Sequence, residues 1–345
     1  MMSHKLFAPR RIGVSGGSYR LPQAAVALCR AVGSELAKID NVIIVSGGTR
    51  RQLKAGTNDL AADWHIVNTA QEEILKHWGP DAIYERIETV VTGEIDPSKT
   101  ETFQIGRATP TRGKTNEARR FSFVRSLDGL LSIAGGHGTA QEIALAMELD
   151  IPLLPVPSFS GSAQEFWRSY EEDLMRILQI DRETADRWRL PAPEDPALLQ
   201  QLAGEMVAVL LAALPRRCFV IMPFGEDHVS LYDLVIEPTL LKVGHSAIRL
   251  DRTGIPGDAG NQIHEGIRRC DYVIAVLDGL KANVLYEIGL AHAYGKRTIL
   301  MNHAGGFGES AIPFDLALQQ RLEYRALDAN LLDRLKKAIA SMPRN

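Results

Sequence analysis

A short apolar run that ends in glycines and passes straight into a helical pattern recurs along this chain, and constrains its fold more than any other feature. RIGV (Arg11–Val14) ends in Ser15-Gly16-Gly17-Ser18, and helical periodicity follows from Gln23 to Ile39. NVIIVSGG (Asn41–Gly48) is β-branched and again closed by glycines. GLLSIA (Gly129–Ala134) runs into Gly135-Gly136-His137-Gly138-Thr139, then the helical AQEIALAMEL, then the apolar IPLLPVP (Ile151–Pro157). Buried strands that alternate with helices build βαβ units, and such units close into a parallel sheet.

The rhythm starts again after LPRR (Leu214–Arg217). CFVIMPF (Cys218–Phe224) reads as a strand, Leu231–Val243 as a helix, HSAIRLD as a strand and Gly260–Arg269 as a helix. DYVIAVL (Asp271–Leu277), NVLYEIGLAHAYG, RTILMN (Arg297–Asn302) and an amphipathic tail over Asn330–Ala340 complete it. The 345 residues suit about two domains. The expected fold is α/β, with two doubly wound, Rossmann-like domains over 1–214 and 215–345. The halves share an order of Asp, strand, loop, helix with Glu-Ile, strand. A duplication would give that layout, and so would two independent doubly wound sheets, the reading preferred because only the layout matches.

Lys plus Arg is 39 against 42 Asp plus Glu, a formal net charge of −3. That balance offers no electrostatic footprint for nucleic acid or an anionic membrane. Cys29, Cys218 and Cys270 are far apart and form no CxxC pair, which points away from a disulfide framework and towards a reducing compartment. No uncharged apolar run approaches the ~18 residues of a membrane span, and the basic N-terminus is not followed by a signal-peptide core. A cytoplasmic protein is expected. No His, Asp or Glu group has metal-ligand spacing, so no metal is expected.

Glycines just after a strand let backbone approach a ligand, and the following helix N-terminus offers N–H groups to phosphate. The first half has three such places: Ser15, Gly16, Gly17 and Ser18; then Gly47, Gly48 and Thr49 after Ser46; then Gly135, Gly136, Gly138 and Thr139. Tight turns need glycine too, but three loops in one domain point to a phosphate-bearing ligand. VSGGS, IIVSGGTR and AGGHGTAQE (Ala134–Glu142) occur in the order found in the lonely-guy phosphoribohydrolases and the wider SLOG superfamily, which residues 10–185 resemble. Ala134 stands where the family signature PGGxGTxxE has proline. The resemblance implies that Arg119, with Arg120 beside it, and Glu142 face a nucleotide ligand. It also implies a sensor of a nucleotide-derived signal in preference to a hydrolase.

In the second half, Asp278 ends the DYVIAVLDG strand and Glu287 follows nine residues later, early in a helix. A carboxylate at the mouth of a parallel sheet can stabilise or attack an oxocarbenium-like ribose carbon. Nicotinamide leaving NAD+ is already cationic, so one carboxylate suffices; a purine or pyrimidine needs more help. FVIMPFG, YDLVIEP, RLDR, CDYVIAVLDG and NVLYEIGLAHAYGK resemble the nucleoside 2-deoxyribosyltransferase-like fold and its TIR-like relatives over about 216–325. The resemblance implies Glu287 as the catalytic carboxylate and Asp278, matching the deoxyribosyltransferase LDG, as its partner. The aspartate of the TIR-like run falls instead on Val276. Asn283 reads either as a ribose contact or as a helix N-cap. Phe224 and Met222 read either as the wall of a base pocket or as core.

Together these readings predict a sensor–effector: a nucleotide-derived signal on the first domain switches on an N-glycosidase in the second. NAD+ is the expected substrate, no other cofactor is needed, and a homo-oligomer is expected because ligand binding can shift assembly. Pairings of this kind occur in prokaryotic anti-phage systems. Two alternatives stay open: a nucleoside or nucleotide N-glycosidase or deoxyribosyltransferase of nucleotide metabolism, and a non-catalytic nucleotide-binding regulator.

Overall fold

The apolar runs become strands of two separate sheets in the computed structural model, which describes residues 9–17, 21–48, 61–93, 105–223, 225, 228–250, 259–305, 313, 316 and 318–342. The chain divides into Pro9–Leu214 and a unit from Pro215 onward. Both sheets are wholly parallel with interleaved helices, the doubly wound α/β arrangement that the strand–helix rhythm predicts.

The first unit runs β1 (Arg10–Ser15), α1 (Gln23–Ala37), β2 (Val42–Ser46), α2 (Ala62–Trp78), α3 (Asp81–Arg86), β3 (Ile87–Val91) and β4 (Arg107–Pro110). It continues with α4 (Asn116–Arg125), β5 (Gly129–Ile133), α5 (His137–Glu148), β6 (Leu153–Val156), α6 (Ser162–Leu178), α7 (Arg182–Arg189) and α8 (Pro196–Ala213). The strand order is β4-β3-β2-β1-β5-β6. Helices cover both faces, so β2, β3 and β5 are buried at every position and read as continuous apolar runs. Register pairs Val14 with Ser46 and Ser15 with Ser132, so the carboxyl ends of β2, β1 and β5 lie side by side.

One helix among the described residues, α8, has the length and apolarity of a membrane span, although Glu205 interrupts its apolar run. Its stripe of Leu199, Ala203, Met206, Val207 and Leu210 is buried, and α8 packs on α1, α6, β5 and β6. That i, i+4, i+7, i+8 spacing is the inward face of a core helix.

The second unit comprises β7 (Arg217–Ile221), α9 (Val229–Leu231), α10 (Glu237–Lys242), β8 (Ser246–Ile248), α11 (Ala259–Arg269), β9 (Tyr272–Val276), α12 (Ala282–Ala293), β10 (Thr298–His303), β11 (Arg321–Tyr324) and α13 (Ala329–Ala340). The strand order is β11-β10-β9-β7-β8. Alternate side chains divide between two cores: Cys218, Val220, Tyr272, Ile274 and Val276 face one, and Phe219, Ile221, Val273, Ala275 and Leu277 the other. This is the period of two in a strand buried on both sides. The helix expected over Leu231–Val243 departs from α geometry: Tyr232–Ile236 between α9 and α10 is π-helical. Pro238 supplies a reason, since its ring opposes the carbonyl of residue 234 and it has no N–H to give.

Candidate functional site

Ligands of doubly wound sheets sit beyond the carboxyl ends of strands, where the strand order reverses. In the first unit the reversal lies between β1 and β5, and the three glycine loops follow β1, β2 and β5. Gly16 has φ +143°, and a Cβ there would stand 2.2 Å from the Ile133 carbonyl oxygen. Gly135 has φ +89°, and its Cβ would fall 2.4 Å from Thr139 Oγ1. Turn geometry therefore demands both glycines. Gly136 is different: its backbone is extended (φ −120°), and among the described residues nothing lies within 4 Å of a Cβ placed on it. No described neighbour requires glycine there. Ala134 takes φ +54°, which a proline, held near −65°, could not adopt.

Side chains hold the loops. The Ser15 hydroxyl donates to Glu142, and the Gly17 N–H donates to Thr139 Oγ1 at 3.3 Å. Arg119 is buried and donates to the Gly47 carbonyl oxygen; a Cβ on Gly47 would meet its guanidinium at 2.6 Å. Ser46 Oγ donates to Asp63 Oδ2 and accepts from the Gly48 N–H, both at 3.0 Å. Asp63 on α2 is a buried member of this cluster that the sequence reading missed; its one signal is an acid inside the apolar stretch AADWHIV. Burial pushes the Glu142 carboxyl upward, against the pull of the Ser15 hydroxyl and Arg119. Burial likewise lowers the Arg119 pKa, against Glu142.

The two arginines part company. Arg119 is turned inward, whereas Arg120 Nη1 donates to Gln141 Oε1 (2.8 Å) and its guanidinium lies 3.1 Å from a Cβ placed on Gly138. It stands beside the first turn of α5. The N–H groups of His137, Gly138 and Thr139 there precede the opening helical bond, Ala140 N–H to Gly136 O at 3.0 Å. The start of α6 is committed elsewhere, since its Ser162 and Ala163 N–H groups donate to the Gly135 and Ala134 carbonyls (2.9 and 3.0 Å). The first-turn N–H groups of α5 thus face this crevice, a helix end of the kind that suits an anion. Ser15, Gly16, Gly17, Gly47, Gly48, Arg119, Arg120, Gly135, Gly136, Gly138, Thr139 and Glu142 converge on the crevice; Ser18 and Thr49 lie outside the described residues.

In the second unit, Glu287 sits in the middle of α12 and faces inward, 8% exposed. Phe219, Val220, Met222, Arg249, Leu250 and Ile263 surround it in a cleft of about 20 Å³, room for one water. No hydrogen bond to its carboxylate occurs among the described residues, and burial alone pushes its pKa up to about 7.

Met222 shares that cleft, but Asp278 does not. Asp278 accepts the His303 N–H at 2.6 Å and the Tyr324 hydroxyl, and lies 3.7 Å from His228 Nε2. Its carboxylate ties the end of β9 to the ends of β10 and β11, and burial together with Asp278 raises the Tyr324 pKa. His228 is the member of this group that sequence reasoning missed. Asn283 is exposed and is not the N-cap, which is Lys281; it stands one turn before Glu287 on α12. Val276, where the TIR-like aspartate would fall, is fully buried core. Phe224 lies outside the described residues. No metal-ligating cluster occurs among the described residues.

Fold and sites together define a class: a two-unit, doubly wound α/β protein with glycine loops after three strands of one unit and a buried carboxylate in the other. No protein-family model matches the chain, and no curated protein does. Among solved structures the chain is similar to the molybdenum cofactor carrier protein from Chlamydomonas reinhardtii, with 19% identity over 58% of this chain and 99% of that one (TM-score 0.34). The molybdenum cofactor binding protein from the phototrophic bacterium Rippkaea orientalis shows 17% identity over 58% and 98% (TM-score 0.33). DNA processing protein A from Helicobacter pylori shows 16% identity over 51% and 83% (TM-score 0.33).

Proposed function

We propose that this chain is a ligand-activated N-glycosidic-bond hydrolase. A nucleotide-derived signal binds the SLOG-like first unit, and the second unit cleaves a ribosyl bond, that of NAD+ first among candidates. The observation that carries the reading is Glu287: a buried carboxylate without a hydrogen-bond partner among the described residues, held beside the carboxyl end of β7 in a cleft whose walls are apolar but for Arg249. An ionised carboxylate there is poorly solvated, so it gains most when positive charge develops on a ribose carbon beside it. It stabilises or captures that carbon while nicotinamide departs as a neutral base, and water completes the hydrolysis. An apolar wall of Phe219, Val220 and Met222 keeps competing solvent away.

In the first unit the same reading seats a phosphate on the N–H groups of His137, Gly138 and Thr139, with Arg120 as its cation and Gly136 as the place of close approach. Arg119 and Glu142 then shape the floor of the crevice. Such an NAD+ nucleosidase fits an effector of anti-phage defence, silent until its signal arrives.

The test is nicotinamide release from NAD+ by purified protein, alone and with a panel of ADP-ribose-type and cyclic nucleotides. The expected result is release that needs a ligand and vanishes in Glu287→Gln. No release under any condition overturns the NAD+ assignment. A second reading, cleavage of a nucleoside or nucleotide, is favoured by one observation: His228 Nε2 stands 3.7 Å from Asp278 Oδ2, a pair of the kind that passes a proton to a neutral leaving base. Base release from nucleosides without any activating ligand distinguishes it. Indifference of every activity to Glu287→Gln leaves a binding-only regulator.

A further inference from the structure

A chain of polar contacts joins α4 to the first turn of α5. Arg120 on α4 donates from Nη1 to Gln141 Oε1 at 2.8 Å. Gln141 Nε2 lies 3.1 Å from His137 Nε2, which stands one helical turn earlier on α5. Glu117, an exposed residue one turn before Arg120, is 3.7 Å from the same guanidinium nitrogen, beyond hydrogen-bond reach. Gln141 is half-buried, and His137 is exposed.

A guanidinium can only donate, so the Gln141 atom that meets Arg120 is its carbonyl oxygen. That settles which way the amide faces, and its NH2 group is left for His137. The NH2 group also only donates, so His137 must receive it on an unprotonated Nε2. A neutral imidazole carries one proton, and with Nε2 accepting, that proton is on Nδ1. The tautomer of His137 is therefore set from α4, through Gln141. A solvated histidine favours the other tautomer, with its proton on Nε2. An Nε2–H ring here would set its proton against the Gln141 NH2 group, and turning the amide over would set that NH2 group against Arg120. Either change leaves two donors facing each other.

We propose that Gln141 is a positioning residue of the first-unit crevice: tethered by Arg120, it holds His137 as the Nδ1–H tautomer, and that N–H is a further donor to the phosphate of a nucleotide ligand. The proposal rests on the reading above that a phosphate takes the first turn of α5. The ring nitrogens point away from one another. With Nε2 turned along α5 to Gln141, Nδ1–H is turned off that contact and is available to a ligand. Arg120 then serves twice, as the cation beside the phosphate and as the anchor that orients Gln141.

The test is nuclear magnetic resonance of the full chain with its histidine rings isotope-labelled at nitrogen. It is run at about pH 8, where an ordinary imidazole is neutral, and the His137 signal is identified by its loss in His137→Ala. The expected result is a proton on Nδ1 of His137 in the wild type. In Gln141→Leu the ring should revert to the Nε2–H form. Gln141→Glu should also put a proton on Nε2, since a carboxylate keeps the Arg120 contact but only accepts. Wild-type His137 with its proton on Nε2 overturns the relay. An Nδ1–H ring that persists in both Gln141 variants overturns the role of Gln141. Calorimetric titration with ADP-ribose, and separately with cyclic AMP, reads the ligand contact. His137→Ala and Gln141→Leu should each weaken binding about tenfold, the worth of one hydrogen bond to a charged group, and together little more than either alone. Binding unchanged by His137→Ala overturns the ligand contact, and losses that multiply overturn the action of Gln141 through His137. Failure of both nucleotides to bind the wild type at millimolar concentration overturns the phosphate seat of the proposed function and the ligand contact with it. The tautomer is read without any ligand, so failure of the relay and failure of that seat are separate results.

Discussion

Glu287 carries two opposed consequences at the scale of one residue. Its folded pKa, about 7, lies above the ordinary 4.5. The fold therefore favours the protonated form: the full stability is present below about 4.5 and is progressively lost as pH rises to about 7. Each pKa unit is about 1.36 kcal/mol, so ionised Glu287 costs about 3 kcal/mol at pH 8. Glu287→Gln keeps the shape and removes the charge. It should raise the melting temperature at pH 8 by several degrees, have little effect at pH 4, and abolish ribosyl-bond cleavage. If the ionised form is the reactive one, kcat/KM of the wild type should rise with pH through about 7. A variant less stable at pH 8 than the wild type would show that Glu287 has a stabilising partner.

At the scale of the element, the glycine loops separate into those the fold needs and those it does not. Gly16→Ala drives a Cβ against the backbone of β5 at a positive φ, and should cost on the order of 2–4 kcal/mol in chemical denaturation. Gly136→Ala meets nothing within 4 Å among the described residues; it should leave stability within about 0.5 kcal/mol while weakening nucleotide binding measured by titration. Equal loss of stability in both would mean that the α5 loop is fixed by packing alone. A second element-scale prediction concerns the amino ends of β1, β3 and β4. Arg11 grips Glu88 with two hydrogen bonds of 2.8 and 2.9 Å, and Arg107 adds a third at 2.6 Å. Burial alone would push the Glu88 carboxyl up, yet the two arginines hold it at about 2. Its stabilising effect is present above the unfolded value near 4.5 and is lost as pH falls towards 2. Glu88→Gln should cost about 3 kcal/mol at pH 7, since it strands Arg11, and should flatten the acid limb of the stability curve. These contacts also explain why β3, IETVV, escaped the sequence reading: an acid in the middle of a strand buried at every position is intelligible only once both arginines are seen.

At the scale of the whole molecule, each unit has its own sheet and its own reversal of strand order, so a ligand of either should stabilise that unit first. Scanning calorimetry should show two transitions. The signal nucleotide should move one of them upward by the amount its affinity dictates, and Arg120→Glu should cancel that shift while leaving the other transition in place. A single transition unmoved by any nucleotide that binds would tell against separate units. The architecture itself was open to reading, because parallel strands buried on both faces must be short apolar runs and their crossovers must be helices. The same logic places ligands at the strand ends, which is how SGG, SGG and GGHGT could be singled out. It could not divide Arg119 from Arg120, two neighbours in one helical turn, because which side chain turns inward depends on α4 packing beside α5. Nor could it find Asp63 or His228, which meet their partners from separate elements. Local periodicity is set by bonded neighbours and speaks for strands, helices and turns. Charge, hydrogen bonding and burial at a site depend on residues far apart in the chain: Ser15 and Glu142, Arg11 and Glu88, Asp278 and Tyr324 meet only when the sheets have formed.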